Sequence, residues 1–448
     1  MNRLISGRWL VTPEDRGAIA VIAEGAVAVK DGRIVFCGSR TAAECAIAER
    51  WPHETWQRIE RSEHILLPGL VNAHTHAAMV LFRGLGDDLP LEAWLNERIW
   101  PAEAEFVDAE FVRLGTTLAA AEMLLGGTTC CADMYFYPGE AARAFLNMGM
   151  RAQLAAPVLD FPTRYASDAD GYLAANLAAR DALRNEPLLS WSLGPHAPYT
   201  VGDASFRRVL AFASELDLPI HTHLQETRHE LAESQREYGC SPTQRLAALG
   251  ITQAGLIAAH GVHLSEADRT LLARNGASLI HCPSSNLKLA SGIADVPAML
   301  AAGLNVGLGT DSAASNNRLD LFEEMRLAAL LGKVASGDAA GLSAATALTL
   351  ATLGGARALR LDEVCGSLEV GKAADLIAVS VAAIHSTPLF DPVSHLIYVA
   401  SRHDVTDVWV HGEQLVEARQ LTEKPARALA ECLGPIATIA RRLRTRFA

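Results

Sequence analysis

Between residues 65 and 311 the chain alternates eight times between a short apolar run and a stretch with helical periodicity. The apolar runs are ILLPGLVNAH, TTCCADM, AQLAAPVLD, LSWSLGPH, LPIHTHL, GLIAAHGVHL, ASLIHCP and NVGLGTD. Amphipathic segments, among them 108–125, 203–216, 265–274 and 319–332, separate or follow them. Parallel strands need a crossover between neighbours, and a helix is the usual one. Eight strand–helix units in sequence therefore predict an α/β chain, a (β/α)8 TIM-like barrel. A doubly wound open sheet is the competing architecture. Against it, no GxGxxG or GxxxxGK[ST] phosphate loop follows any of the strands.

In such a barrel the chemistry lies at the C-terminal ends of the strands. The strand-end positions include His74, His76, Asp133, His196, His223, His260, His281 and Asp311. A lone histidine ending a strand is usually a satisfied structural residue, whereas several converging on one rim point to a metal centre. His74 and His76 are two apart, so both face the same side of a strand, where two nitrogens can meet one ion at about 2.0–2.1 Å. His221 and His223 form a second HxH, and the strand period cannot separate them. His223 lies nearer the rim and is the preferred ligand, with a structural role left to His221. Asp311 completes the set. Three imidazoles and one carboxylate suit Zn2+, with a position left for water, although iron, nickel and manganese also accept these donors. A two-metal centre needs a bridging residue, typically a modified lysine ending the fourth strand, and GPHAPY has none. The expected cofactor is one divalent metal ion per subunit, Zn2+ first.

Both chain ends have a β texture. AVAVKDGRIVFCG turns at Asp31-Gly32, and DVTDVWVHGEQLV turns at His411-Gly412, with GKAADLIAVSV as a further strand. Strand edges need partners, so the two ends are expected to build one small β-sandwich domain. The expected layout is strands over 1–66, the barrel over 67–366, and the second part of the sandwich plus a C-terminal helix over 367–448.

The formal net charge of -12 argues against a nucleic-acid partner. The one basic cluster, Arg441, Arg442, Arg444 and Arg446, reads as a solvated helix face. No apolar run reaches the ~20 residues of a membrane span. The apolar stretch near the N-terminus is broken by Glu24 and Lys30, unlike a signal peptide. The eight cysteines show no CxxC pair and no framework spacing. A reduced, cytoplasmic protein with a small-molecule partner is expected; a homo-oligomer is compatible with the sequence.

With these residues in place, the chain resembles the amidohydrolase superfamily over nearly its whole length. The likeness rests on PGLVNAHTH, LPIHTHLQET, AAHGVHL, LGTDSAASNN and GSLEVGKAADLIAV. Within that superfamily it is similar to the 5-methylthioadenosine/S-adenosylhomocysteine deaminases, most specifically in HTHAAMVLFRGLGDDLPLEAWLNERIWPAEAEF, with support from GPHAPY and SSNLKLASGIADV. The resemblance implies hydrolytic deamination of adenine nucleosides at purine C6, giving the inosine analogue and ammonia. It matches His74, His76, His223 and Asp311 to the metal ligands, with Asp311 taking the proton of the attacking water. Glu226 matches the acid that contacts the purine, and His260 the residue that orients the water. Glu103 matches the carboxylate on the ribose hydroxyls, and His196 a histidine contacting the substrate.

Some members carry an arginine in the third strand, where this chain has the alanines of RAQLAAPVLD. Arg164, in the loop after that strand, is the candidate replacement for pairing with a homocysteine carboxylate. Read without the resemblance, Glu103 is a surface helix residue after Pro101. Trp94 and Trp100 are packing residues, His263 and His281 are structural, and Asp133 anchors a loop. Other readings are a deaminase or dechlorinase of another heterocycle (guanine, 8-oxoguanine or an s-triazine), or a non-catalytic scaffold on the same fold. A scaffold loses metal ligands, and all of them are present here.

Overall fold

Eight parallel strands follow one another in chain order around the barrel: Leu70–Thr75, Thr128–Asp133, Arg151–Val158, Leu189–Pro195, Ile220–Leu224, Leu256–His260, Ser278–His281 and Asn305–Leu308. Each coincides with one of the eight apolar runs, the first and third reaching one residue beyond theirs. The structure is a computed structural model and describes residues 2–14 and 17–447. Strands of this kind are buried on both faces, which is why they read as continuous apolar runs without alternation. Thr128–Asp133 and Arg151–Val158, for example, are buried at every position.

The seam between the first and eighth strands is closed by residues just past the eighth. The Asp311 N–H donates to the His74 carbonyl at 3.0 Å. Thr75 Oγ1 donates to the Asp311 carbonyl at 2.9 Å, and Asn72 exchanges hydrogen bonds with Thr310 at 2.7 and 2.9 Å. A Cβ at Gly309 would stand 2.8 Å from His74 Cβ, so this approach requires glycine. The helices start where side chains can cap them. Asp108 accepts from the Phe111 N–H at 2.9 Å at the head of Ala109–Leu125, and Ser265 and Asp268 form a capping box on Glu266–Arg274.

The two chain ends meet in one nine-stranded sheet. Leu376–Ser380 pairs antiparallel with Trp56–Pro68, in the register Leu376↔Pro68 to Ser380↔His64. Both hairpin turns lie at the expected dipeptides. Asp31 and Gly32 have φ of 51° and 77°, and His411 and Gly412 have 49° and 74°, the left-handed pairs that a two-residue hairpin turn needs. The core of this sheet draws Ile5, Leu10 and Leu66 from one end and Leu376 and Trp409 from the other.

One feature differs from expectation. The first 66 residues are not all strand, because Arg40–Arg50 is an α-helix. Its sequence, RTAAECAIAER, is rich in strong helix formers, and Ser39 caps it through the Ala42 N–H. It buries Ala43 and Ile47 against Leu4, Ala26 and Ala28. The C-terminal helix, Glu423–Phe447, lies against the barrel. Arg446 Nε pairs with Glu105 at 2.8 Å, the Arg442 guanidinium sits 5.1 Å from the Phe106 ring centre, and Arg113 reaches Cys432 Sγ at 3.7 Å. The four arginines of its last turns are solvent-exposed, as expected. No helix among the described residues is long and apolar enough to cross a membrane.

Barrel and sheet are joined by a buried ion pair. Arg151, opening the third barrel strand, meets Asp375 at 2.8 and 3.2 Å, with side chains 4% and 1% exposed. Asp375 also accepts from the His411 N–H at 2.7 Å, which fixes the second hairpin turn. Arg151→Met should leave the Asp375 charge buried without its partner and destabilise the fold by about 3–5 kcal/mol. Urea unfolding checks this; an unchanged midpoint would mean the pair does not hold the two units together.

Candidate active site

The strand ends bring five metal-capable side chains to one point at the barrel mouth. His74, His223, His260 and Asp311 each offer a ligand atom, and all four atoms lie within 4.8 Å of one another. His76 stands beside them. Its Nε2 is 3.3 Å from His223 Nε2 and 3.2 Å from Asp311 Oδ1, while His74 Nε2 is 3.6 Å from the same Asp311 oxygen.

The outer nitrogens explain how these rings are aimed. His76 Nδ1 donates to the Met134 carbonyl at 2.5 Å, and His223 Nδ1 donates to the His196 carbonyl at 2.6 Å. A proton fixed on Nδ1 leaves a lone pair on each Nε2. Two lone pairs 3.3 Å apart repel unless a cation sits between them. Two ligands each about 2.0–2.1 Å from one tetrahedral ion stand about 3.3 Å apart. His74 Nε2 is buried with no hydrogen-bond partner among the described residues, and its Nδ1 lies 3.0 Å from His221 Nε2. This donor set fits a divalent ion. His221 therefore supports His74 from behind, while His223 faces the cluster.

Charge in the site follows from burial. Burial, with the imidazoles of His223 and His76, holds His74 well below the usual histidine range. His223 is lowered in the same way by burial and by His196. Burial takes His196 and His221 down to about 3. For His76, burial is outweighed by the Asp311 carboxylate, and its pKa rises. Burial opposes ionisation of Asp311, but the adjacent His76, with the other imidazoles around it, holds its carboxyl well below the usual range.

Asp311 Oδ2 accepts from Ser285 Oγ at 2.6 Å and Ser315 Oγ at 2.7 Å, which turns Oδ1 toward the histidines. His260 Nδ1 bonds to Asn286 Oδ1 at 2.8 Å, and its Nε2 lies 3.7 Å from Glu226 Oε2. Burial raises the Glu226 pKa; His260 opposes the shift and Asp311 reinforces it. Ser291 Oγ donates to Glu226 Oε1 at 3.1 Å. The backbone before this side chain is held by Glu230, whose two oxygens accept the N–H groups of Gln225 and Glu226 at 2.9 Å each. His260 and Asp311 have φ of 72° and 56°, a left-handed conformation that costs about 1–3 kcal/mol at a non-glycine residue.

A mostly apolar cavity of about 620 Å³ opens onto the cluster, and His76, His196, His223, Glu226, His260 and Asp311 all reach it. His196 Nδ1 pairs with Thr200 Oγ1 at 2.9 Å. Trp94 and Trp100 line this cavity, which adds a cavity-facing side to their packing. Glu103, on the helix Trp100–Phe106, also faces it and is not a surface residue. Burial pushes its carboxyl up to about 7, against the hydrogen bond from Tyr135 and the charge of His76. Arg164 stands in the lining with its guanidinium already engaged, donating to the Glu105 carbonyl at 3.0 Å and lying 3.9 Å from Asp108.

Asp133 anchors the loop after the first strand, accepting from the Ala77 N–H at 2.7 Å. His263 bonds to the Ser291 carbonyl at 2.8 Å, and neither it nor His281 lines the cavity. Tyr135, Glu230, Ser285, Asn286, Ser291 and Ser315 also support the site, and no motif or spacing in the sequence singles them out. Three of these lie in PSSNLKLAS, directly after the seventh strand, and position in a barrel loop was the available signal.

The sequence profile of the amidohydrolase family matches residues 65–415. The chain belongs to the amidohydrolase family. This amidohydrolase is 49% identical over 374 residues to the 5-methylthioadenosine/S-adenosylhomocysteine deaminase of Teredinibacter turnerae, covering 84% of this chain and 85% of that protein. It is 43% identical to the protein of the same name from Saccharophagus degradans, covering 93% and 92%. The crystal structure of an adenosine deaminase from Xanthomonas campestris with bound zinc is similar at a TM-score of 0.93 and 45% identity, covering 99% of this chain and 98% of that one. The atrazine chlorohydrolase TrzN of Arthrobacter aurescens, at 24% identity and a TM-score of 0.87, shares the fold.

Proposed function

We propose that this amidohydrolase is a metal-dependent aminohydrolase that converts adenine nucleosides to their inosine analogues and releases the C6 amino group as ammonia. The observation that carries this reading is the placement of Glu226. It is a carboxyl with raised proton affinity, 3.7 Å from His260, and it lines the same apolar cavity as the donor cluster. The similarity to deaminases over most of the chain supports it.

The proposed ligands of one Zn2+ per subunit are His74, His76, His223 and Asp311. A divalent ion held by these residues would supply Lewis acidity and would lower the pKa of water toward neutrality. Asp311 accepts the proton of the attacking water and passes it to the C6 amino group, which leaves as ammonia. His260 Nε2 hydrogen-bonds that water and aims it at C6. Protonated Glu226 donates to the ring nitrogen beside C6, so negative charge does not build up on the purine. His196 contacts the substrate, and Glu103 accepts from the ribose hydroxyls. The mostly apolar walls, together with an Arg164 that is already paired, favour the uncharged methylthio tail over a zwitterionic homocysteine tail.

The test is a screen of methylthioadenosine, S-adenosylhomocysteine, adenosine, adenine, guanine and a chlorotriazine for release of ammonia or chloride. Methylthioadenosine should give the highest kcat/KM. Guanine or the chlorotriazine ranking first would overturn the reading. Glu103→Ala should raise KM for adenosine roughly tenfold while changing KM for adenine little, because a hydrogen bond to a charged group contributes about 1.5–3 kcal/mol. Equal effects on both would remove Glu103 from the ribose role.

A further inference from the structure

Glu103 reaches the cavity from a helix outside the barrel, so something must hold its carboxylate against the barrel mouth. Among the described residues its side chain has one hydrogen bond, from Tyr135 Oη to Oε1 at 2.8 Å. Tyr135 lies two residues past the second barrel strand, Thr128–Asp133. The residue between them, Met134, is fixed at both ends. Its N–H donates to the Thr75 carbonyl at 2.9 Å, and its carbonyl accepts from His76 Nδ1 at 2.5 Å. The Tyr135 ring is 5% exposed, packs against Phe136 at 5.3 Å between centroids, and lines the same cavity as Glu103. Its hydroxyl is thus referenced to the backbone that orients His76.

We infer that Tyr135 is a positioning residue for ribose recognition: its phenol occupies one oxygen of Glu103 and presents the other to the sugar diol at a fixed distance from the reacting centre. The inference rests on the ribose role proposed for Glu103. A carboxylate offers about four lone-pair sites, so a single donor on Oε1 leaves enough acceptors for two hydroxyls. Without the phenol, the carboxylate can swing on its own χ angles, and the diol must order it during binding. The effect should then fall on binding of substrates that carry the diol and not on the chemistry at C6.

The experiment compares adenosine with 2′,3′-dideoxyadenosine in the wild type, Tyr135→Phe, Glu103→Ala and the double variant. The ratio of the two kcat/KM values is read, because it does not depend on the fraction of enzyme that is folded. Tyr135→Phe should lower this ratio roughly tenfold, with the loss on adenosine carried by KM and not kcat. In the Glu103→Ala background the same change should lower the ratio no further, since the phenol then has no carboxylate to hold. A Tyr135→Phe loss that is equal on both nucleosides, or one that adds fully to Glu103→Ala, overturns the inference while leaving Glu103 in place. A Glu103→Ala variant that keeps the wild-type ratio overturns both.

Discussion

Glu226→Gln is expected to lower kcat by about 10²–10⁴-fold while the purified protein keeps its metal content. Glutamine preserves the shape of the side chain and can still accept from Ser291, but it has no acidic proton to give to the purine. Glu226 is not among the proposed ligands, so metal analysis of the variant should match the wild type. Wild-type turnover would show that the proton comes from elsewhere. The pH profile is a second check, and its sign follows from burial. The Glu226 carboxyl is raised above its ordinary value, so the proton persists above the usual carboxylate range and is lost as pH climbs through the folded value. The alkaline side of kcat/KM should contain this loss, and the variant should lack it. The same linkage means that Glu226 favours the folded state below the ordinary carboxyl range, and that this contribution disappears as pH rises through the shifted value.

Replacing His76 and replacing His260 should have opposite effects on bound metal. His76→Ala removes an Nε2 that stands 3.3 Å from His223 Nε2 and 3.2 Å from Asp311 Oδ1, spacings that a shared ion explains. Ion binding should weaken by more than the roughly 10–100-fold typical of losing an outer hydrogen-bond partner of a ligand, and turnover should vanish with it. His260→Ala should keep the ion at the wild-type ratio to protein and lose about 10²–10⁴-fold in kcat, as expected for a group that aims water. Metal analysis alongside kinetics separates the two. If His260→Ala loses the ion and His76→Ala retains it, the ligands are the compact set His74, His223, His260 and Asp311.

What the sequence could reveal depended on periodicity. The eight strands were readable because buried parallel strands are uninterrupted apolar runs, and His74 and His76 because period two places both on one face of a strand that ends at the rim. The same rule could not rank His221 against His223, since both obey it. Only the hydrogen bond between His74 Nδ1 and His221 Nε2, at the back of His74, distinguishes their roles. The helix Arg40–Arg50 was missed because its neighbours on both sides are strands, although its alanines and the Ser39 cap were visible. Tyr135, Ser285 and Ser315 were out of reach for a different reason. Their partners are Glu103 and Asp311, and the Tyr135–Glu103 and Ser285–Asp311 pairs lie far apart in the chain. Ser315 is near Asp311 in sequence, but a hydroxyl four residues past a carboxylate says nothing about which oxygen it will hold.

The seam that closes the barrel and the proposed metal centre occupy the same place. His74 lies at the end of the first strand, one residue before its last, and the Asp311 N–H, past the eighth strand, donates to the His74 carbonyl. An ion gripped by both would act as a removable cross-link across the whole barrel segment, closing a very long loop of chain. Stripping it with a chelator should therefore reach beyond catalysis. Amide hydrogens near Asn72, His74, Thr310 and Asp311 should exchange faster, and the apoprotein should melt at a lower temperature by an amount that depends on free metal concentration. In this chain, occupancy by the cofactor and integrity of the fold would then be regulated together.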